Sequence, residues 1–342
     1  MEIADALDAL VKKKDLSFAD SQHLFNQAMQ GKFTDVQFAG LLVGLRVKGE
    51  TSDELAGAAA AMRELSLKVE IDTEHMVDTC GTGGSGGAKL FNISTASAFA
   101  AAASGARVAK HGNRAMSSKS GSADVLEAAG VNLAITPPQV AQCIREVGVG
   151  FMFAQAHHSA MRHAATPRRE LGIRTMMNVL GPMTNPAGAK AQVIGVFAPQ
   201  WQTKMIDVLN TLGSDRALTV HSDGLDEFSL AAPAQVVELR AGEIREYAVS
   251  PEDVGLRTRS MEKLVCTTPE SSLQLIRQAL SDVDSAAADI VAYNAGAALY
   301  AADVSESIAQ GVALARTSIS EGKALQRLEA LSALSQSFGP SS

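Results

Sequence analysis

Residues 81–87 read Gly-Thr-Gly-Gly-Ser-Gly-Gly, and this glycine-rich run is the feature that most restricts the fold. It follows the segment Met76 to Cys80, which looks like a short strand. A helix is predicted to begin near Asn92, a few residues after the run. A strand, a glycine turn and a helix in this order begin a βαβ unit. The chain is therefore expected to contain a mainly parallel sheet with helices on its faces.

The residues before this strand have a helical pattern. Apolar residues recur at intervals of three and four from Ile3 to about Ser66, and Ser17, Thr34 and Thr51 stand where helix N-caps are expected. Glu54 lies three residues after Thr51, as in a capping box. The pattern predicts four short helices that form a small bundle.

Strands and helices alternate after the glycine-rich run. Further strands are predicted at Arg107–Lys110, Ala191–Phe197 and Ala217–His221, and helices at Asp124–Ala129, Pro137–Glu146, Gln200–Leu212, Ser271–Leu280, Ala286–Ala302, Ser305–Ser318 and Lys323–Ser335. Val236–Leu239 and Ile244–Tyr247 are predicted to form an antiparallel hairpin added to the sheet. The expected fold class is α/β, with a small N-terminal helical domain and a larger domain built on a mainly parallel central sheet.

Composition excludes several classes of protein. The formal net charge of -7 argues against nucleic acid as a partner, because Lys and Arg supply most sequence-independent affinity for phosphate polymers. No uncharged apolar stretch reaches about 18 residues, so no membrane span is expected. The N-terminal segment contains Asp5 and Asp8 and does not resemble a signal or transit peptide, which makes the cytoplasm the expected location.

The glycine-rich run has the chemistry of a phosphate-binding loop. With so few side chains, its backbone N–H groups can surround a phosphate, and the following helix N-terminus adds favourable partial charge. The run is not a Walker loop, because no Gly-Lys-Ser/Thr follows it, and it is not a clean GxGxxG fingerprint. Taken alone, it is also compatible with a mobile glycine turn.

A second polar cluster follows the next predicted strand. Lys110-His111-Gly112-Asn113-Arg114 comes directly after it, and residues Ser117 to Ser122 lead into a helix. Because ligands of open α/β sheets bind beyond the carboxyl ends of the strands, both clusters are expected at one edge. Together they predict a phosphate-binding surface, with a solvated polar loop as the alternative.

Three further segments offer candidate chemistry. Asp226 and Glu227 follow a predicted strand, and each carboxylate could serve a different magnesium ion completed by substrate phosphates, unless the pair is only a solvated corner. The histidines in residues 157–163 lack the HExxH spacing of zinc sites. Arg168, at the start of an arginine-rich segment, could clamp a carboxylate with two parallel hydrogen bonds or form a surface ion pair.

Longer motifs extend these clusters, and in their order along the chain they resemble the anthranilate phosphoribosyltransferase family. They are FNISTA (91–96), KHGNR (110–114), SSKSGSADVLE (117–127), RRELGIRT (168–175), LGPMTNPAG (180–188), DGLDE (223–227) and DIVAYNAGAALY (289–300). The match covers nearly the whole chain. Several long motifs in register make the resemblance specific.

The resemblance implies a fold shared with nucleoside phosphorylases: a helical domain at 1–66, joined by a contribution from about 168–186, and an α/β domain at 67–342. It implies transfer of the phosphoribosyl group of phosphoribosyl pyrophosphate (PRPP) to anthranilate, in tryptophan biosynthesis. Mg²⁺, expected as two ions, and a homodimer formed through the helical domain are implied as well. The alternatives are a pyrimidine nucleoside phosphorylase-like enzyme and a non-catalytic binding protein on the same scaffold.

The resemblance also implies roles for individual residues. From the residue clusters and the resemblance together, the residues expected at the substrates are Gly81, Gly84, Ser85, Lys89, Asn92, Ile93, Ser94, Thr95, Lys110, His111, Gly112, Asn113, Arg114, Ser117, Ser118, Ser122 and Arg168. Of these, Gly81, Asn113 and Arg168 would meet anthranilate, and the residues expected to act in catalysis are Lys110, Asn113 and Arg168. Ser94, Asp226 and Glu227 would bind magnesium.

The glycine-rich run departs from the family pattern. Ser85 replaces an acid that the family usually carries, Leu90 stands where a threonine is common, and the loop is one residue longer. Lys89, within the longer loop, is predicted to add a charge-assisted contact with phosphate.

Overall fold

The structure, a computed structural model, describes residues 1–83, 90–115 and 120–339. In the first of these stretches, four helices precede the sheet: α1 (Ile3–Val11), α2 (Phe18–Met29), α3 (Asp35–Lys48) and α4 (Ser52–Glu64). The hydroxyl groups of Ser17, Thr34 and Thr51 each accept a hydrogen bond from the backbone N–H three residues later. The predicted N-caps and the predicted bundle are therefore confirmed.

Glu54 does more than complete its capping box. Its carboxylate accepts hydrogen bonds from the backbone N–H groups of Thr51 at 2.9 Å and Leu16 at 2.8 Å. It also pairs with Lys48 Nζ at 2.9 Å, and its side chain is fully buried. A buried carboxylate is tolerated only when it is hydrogen-bonded and paired, so this residue joins the end of α3 and the start of α4 to the segment before α2.

One sheet of seven strands organises the described part of the chain after residue 75. The strands are β1 (Met76–Gly81), β2 (Arg107–Gly112), β3 (Val149–Phe153), β4 (Ala191–Gly195), β5 (Arg216–His221), β6 (Ala234–Arg240) and β7 (Glu243–Val249). Their order is β3-β2-β1-β4-β5-β6-β7, parallel up to β5 and antiparallel beyond it. The chain moves outward from β1 to β3 and returns at β4, which places the expected ligand crevice at the carboxyl ends of β1 and β4.

Helices cover both faces of the sheet. They are α5 (Ile93–Ala103), α6 (Ser122–Ala128), α7 (Pro137–Val147), α8 (Ala154–His157), α9 (Arg162–Leu171), α10 (Met177–Leu180), α11 (Gln202–Thr211), α12 (Pro269–Ala279), α13 (Ala286–Ala301), α14 (Ile308–Ser320) and α15 (Lys323–Ser337). Helices α13 and α14 approach so closely that a Cβ on Gly296 would lie 2.6 Å from the Val312 nitrogen.

The helical bundle is not isolated from the sheet. Buried residues of α2, α3 and α4 share one apolar core with Met176, Leu180 and Met183, with helix α11, and with Ile194 and Leu239 of the sheet. This shared core holds α9 and the segment after it against the bundle. It thereby fixes Arg168, in the last turn of α9, relative to the sheet.

The predicted fold class is confirmed, and so is the hairpin of β6 and β7. Ala241 and Gly242, the two residues of its turn, both have positive φ, at 51° and 83°, as a tight turn between twisted strands requires. Strand β3 and helix α9 have no counterpart among the elements predicted from the sequence. No described helix is long and apolar enough to cross a membrane.

Candidate active site

The beginning of the glycine-rich run is tied to the end of β4. The backbone N–H of Thr82 donates to Gly195 O at 2.8 Å, and the Thr82 hydroxyl accepts a hydrogen bond from Phe197 N at 3.0 Å. Gly83 N donates to the Asp226 carboxylate at 3.0 Å. The run therefore starts in the crevice between β1 and β4, while residues 84–89 lie outside the described part.

Two glycines make room for the acidic turn that follows β5. A Cβ on Gly195 would lie 1.7 Å from the carbonyl oxygen of Asp226, and a Cβ on Gly81 would lie 2.8 Å from Asp226 Oδ2. The contact at Gly195 is with backbone, so a side chain there would overlap the turn, whereas a side chain at Gly81 would have to displace the end of the Asp226 side chain. The local packing thus brings the carboxylates to the crevice.

Glu227 points to a different element from Asp226. Its Oε1 accepts a hydrogen bond from Ser94 N at 3.1 Å, in the first turn of α5. Desolvation by the surrounding protein raises the pKa of Glu227 to about 8, and the neighbouring Asp226 carboxylate acts in the same direction. Glu227 therefore faces the N-terminus of α5, whereas Asp226 faces the glycine-rich run.

The residues predicted to bind magnesium fit a divalent cation. Ser94, Asp226 and Glu227 offer hard oxygen atoms, and a bound cation would favour the charged form of the buried Glu227 carboxylate, whose pKa desolvation raises. Among the described residues, no group of three or more His, Cys, Asp or Glu side chains is placed to hold a metal by itself. Substrate oxygens would have to complete the coordination, which is the usual arrangement for Mg²⁺.

The side chain of Lys110, on β2, extends toward Ser94 at the start of α5. The Lys110 side chain is only 2% exposed, and its Nζ donates to Thr79 O and lies 3.4 Å from Ser94 Oγ. Burial lowers the pKa of Lys110, while the nearby Asp78 carboxylate acts in the opposite direction. The ammonium group thus lies next to the Ser94 side chain. The contact of Lys110 with substrate stays a prediction.

A pair of buried histidines lies beside Lys110. The rings of His111 and His158 are 5.1 Å apart between centroids. Desolvation lowers the pKa of His111 well below its ordinary value and that of His158 to about 4. The Nε2 atoms of both are buried without a hydrogen-bond partner within the described ranges. His158 is absent from the predicted site because the sequence gives no signal that it meets His111 across the fold.

The remaining residues of the second polar cluster lie around the end of β2. Gly112 ends the strand, and Asn113 follows it and accepts a hydrogen bond from Arg114 N at 2.8 Å. The Arg114 side chain is exposed and bound by Asp124 and Glu127, at 3.1 and 2.5 Å. The structure thus gives Arg114 two acidic partners that were not predicted from the sequence.

The other predicted site residues occupy the helix starts and α9. Ile93 and Thr95 in the first turn of α5 are 2% and 1% exposed, so their side chains face the core. Ser122 begins α6. Arg168 is half-buried, and burial lowers its pKa. The predictions for Gly84, Ser85, Lys89, Ser117 and Ser118 fall outside the described residues.

Asn92 connects the two polar clusters. It lies immediately before α5, and it shares hydrogen bonds with Ser120, within the second cluster, and with Ser272 of α12. Neither serine was singled out as a partner of Asn92 from the sequence, because Ser272 is 180 residues away along the chain.

A helical bundle joined to an α/β domain, with a glycine-rich crevice and an acid pair, defines a class of glycosyl transferase. The family model described as "Glycosyl transferase family, helical bundle domain" matches residues 4–66, and the one described as "Glycosyl transferase family, a/b domain" matches residues 73–325.

Individual relatives narrow this class. An anthranilate phosphoribosyltransferase of Ectopseudomonas mendocina is 52% identical over 343 residues, covering 99% of this chain and 98% of the relative. The crystal structure of that enzyme from Thermus thermophilus is 44% identical, with a TM-score of 0.92 over 97% of this chain and 99% of the other. The chain belongs to the anthranilate phosphoribosyltransferase family.

A more distant member shares the fold. Anthranilate phosphoribosyltransferase from Saccharomyces cerevisiae, solved in complex with PRPP and Mg, is 23% identical. Its TM-score is 0.87 over 98% of each chain.

Proposed function

We propose that this protein transfers the phosphoribosyl group of PRPP to the amine of anthranilate. The products are N-(5-phosphoribosyl)anthranilate and pyrophosphate, and the reaction is a step of tryptophan biosynthesis. Family membership over the whole chain supports the assignment. The cytoplasm, expected from the sequence, stays the predicted location.

The observation that carries the proposal is the meeting of three elements at one edge of the sheet. The glycine-rich run after β1 contacts Asp226 through Gly83 N at 3.0 Å, and the N-terminus of α5 contacts Glu227 through Ser94 N at 3.1 Å. Backbone N–H groups and a helix N-terminus favour phosphate, and the acids favour a cation. This combination suits a diphosphate bound together with metal.

Two magnesium ions belong to the proposal. Asp226 would hold one and Glu227, with Ser94, the other, since the two carboxylates are directed to different elements. Bound magnesium would neutralise the charge of the diphosphate leaving group. The Saccharomyces cerevisiae relative was solved with PRPP and Mg, which agrees with this choice of metal.

Arg168 and Asn113 are the residues that we expect to bind anthranilate, the substrate that accepts the phosphoribosyl group. An arginine keeps its charge in proteins and can hold a carboxylate with two parallel hydrogen bonds. Arg168 is half-buried on α9, in the region where water competes less for such a pair. Anthranilate carries its carboxylate next to its amine, so a clamp on the carboxylate also orients the amine.

The proposed chemistry is displacement at the ribose C1 atom with inversion. The aromatic amine forms the new N–C1 bond while the bond from C1 to the diphosphate oxygen breaks, through a transition state with cationic ribose character. The amine is already a neutral nucleophile, so no strong base is required to activate it, and its nitrogen loses one proton to the departing diphosphate or to water once the new bond has formed. Alignment of two bound substrates can lower such a barrier by about 7–11 kcal/mol. The ammonium group of Lys110, which lies next to Ser94, would stabilise the negative charge of the departing diphosphate.

The assay that tests the function combines the protein with PRPP, Mg²⁺ and anthranilate and follows the loss of anthranilate fluorescence. We expect the loss to require all three components, to stop with EDTA and to resume with excess Mg²⁺. A parallel reaction offers a pyrimidine nucleoside and inorganic phosphate without metal. Cleavage of the nucleoside, with no loss of anthranilate fluorescence, would identify a nucleoside phosphorylase instead. Inactivity in both reactions would favour a non-catalytic binding protein.

A further inference from the structure

Asn92 and Ser272 form a reciprocal pair of hydrogen bonds behind the glycine-rich run. The backbone N–H of Asn92 donates to Ser272 Oγ at 3.0 Å, and that hydroxyl donates to Asn92 Oδ1 at 2.7 Å. Ser272 is fully buried in α12. One buried hydroxyl therefore holds both the backbone and the side chain of Asn92.

Ser120 holds the other side of the same carboxamide. Its hydroxyl donates to Asn92 Oδ1 at 2.9 Å, and its carbonyl oxygen accepts from Asn92 Nδ2 at 3.2 Å. With two hydroxyls at the oxygen and a carbonyl at the nitrogen, the amide has one favourable orientation. Nδ2 carries two hydrogens, and this orientation commits one of them to Ser120.

The chain around Ser272 supports residues 90–92 from outside the crevice. Leu90 forms an antiparallel bridge with Val265, and Phe91 N donates to Leu264 O at 3.0 Å. Three successive residues after the glycine-rich run are thus fixed to one segment, residues 264–272. No motif that indicates the function of this protein includes that segment.

The hydroxyl of Ser272 is not needed to begin its helix. Thr268 is the N-cap of α12, and its side chain accepts from Ser271 N at 3.1 Å. Ser272 N donates to the carbonyl oxygen of Thr268 in the ordinary helical manner. The side chain of Ser272 is therefore committed to Asn92 rather than to capping.

We propose that Ser272 is a positioning residue, which orients the Asn92 carboxamide so that its second Nδ2 hydrogen is presented to PRPP. This inference rests on the proposed function, in which Asn92 contacts that substrate. Ser272 touches no substrate itself and acts through Asn92. Its effect is expected on binding of PRPP and not on binding of anthranilate.

The test compares Ser272→Ala with the wild-type protein in the fluorescence assay. We expect the KM for PRPP to rise about tenfold, because a buried amide loses a partner and its preferred orientation. The KM for anthranilate should change less than about twofold on the same reasoning. Ser272→Cys keeps a side chain of the same shape with a larger atom and a weaker donor, and should also raise the KM for PRPP; melting temperatures of all variants separate this effect from a loss of folding.

The matched control is Ser271→Ala, the same substitution at the neighbouring serine of the α12 cap. It weakens the helix start without touching Asn92, and should leave the KM for PRPP unchanged. A double-mutant cycle completes the design: in an Asn92→Ala background, Ser272→Ala should have no further effect on this KM.

The outcomes separate the inference from the proposed function. A wild-type protein that transfers no phosphoribosyl group overturns both. An active wild-type protein whose Ser272→Ala variant keeps its KM for PRPP overturns the inference alone. The inference is also overturned if both substrates lose affinity equally, or if the effects of the two substitutions are additive.

Discussion

Desolvation sets the protonation of several residues around the crevice. It raises the pKa of Glu227 to about 8 and lowers those of the two ring-paired histidines, that of His158 to about 4. Each of these groups is pushed toward its neutral form, as expected when charge is moved out of water. Around the crevice, burial therefore favours the neutral forms of Glu227, His111 and His158.

The histidine pair makes stability depend on pH. An unfolded histidine has a pKa near 6.5, whereas folded His158 has a pKa of about 4. Between these values the unfolded chain binds a proton that the folded protein does not, so the free energy of unfolding decreases as the pH falls. His158 contributes at most about 3 kcal/mol to this decrease, since one pH unit corresponds to about 1.4 kcal/mol. Urea unfolding midpoints for wild type and His158→Gln should therefore converge as the pH falls from 6.5 to 4.

Exposed His23 on α2 provides the control for this measurement. The His23→Gln variant removes a histidine without disturbing the buried pair, and its midpoints should stay parallel to those of the wild type. A constant difference between wild type and His158→Gln across the same pH range would contradict the account.

Residue types near the crevice were predictable where they lie in short motifs after strands. Asp226 and Glu227 follow a predicted strand, and the structure brings Glu227 to Ser94, whose role was implied by the family resemblance. Partners supplied by distant elements were not predictable, because a buried serine such as Ser272 carries no local signal. The contact of His158 with His111 depends likewise on the path of the chain after β3.

At the scale of elements, the acidic turn after β5 depends on the strand beside it. The carbonyl oxygen of Asp226 occupies the space that a side chain on Gly195 would need. Strand β4 therefore contributes to the site by lacking a side chain at its last residue. A requirement for space is invisible in the sequence, since one glycine at a strand end has many possible causes.

The Gly195→Ala variant tests this dependence. The new methyl group must displace Asp226 and Glu227, and a misplacement of about 1 Å at a reactive site can lower the rate about 100-fold. We expect a loss of that order in kcat/KM with the far-UV circular dichroism spectrum retained. Gly40→Ala in α3 is the control, because its Cβ would meet only Leu7 at 3.4 Å. Full activity of Gly195→Ala would mean that the acidic turn can move without cost.

Helices and strands with a strong local sequence pattern were predicted from the sequence, whereas β3 and α9, whose patterns are weak, were not. The hairpin of β6 and β7 has alternating apolar residues and a turn that needs positive φ, so its pattern is clear. Strand β3 follows α7 with only Gly148 between them, and its five residues give little periodicity. Helix α9 buries only Ala164 and Pro167, so its apolar stripe is too narrow to recognise.

At the scale of the whole molecule, the helical bundle has apolar side chains that are exposed rather than buried in its core. Val11 is 82% exposed at the end of α1, and Val36 and Val47 of α3 are 82% and 76% exposed. Val36 and Val47 are about three helical turns apart and share one face of α3. Helix α1 packs against α3 with Leu10 close to Gly44, so the last turns of both helices are neighbours. We propose this face as part of the homodimer interface predicted for the helical domain.

The double variant Val36→Glu/Val47→Glu should dissociate such a dimer. Two carboxylates on each copy would face each other across an isologous interface, where desolvation and like-charge repulsion oppose association. We expect sedimentation velocity to give a dimer for the wild type and a monomer for the double variant, with unchanged helix content. Ile244→Glu is the control, since this exposed residue lies on β7, the edge strand of the sheet, rather than on α1 or α3, and should leave the dimer intact. A double variant that stays dimeric would place the contact elsewhere, and a monomeric wild type would remove the dimer from the proposal.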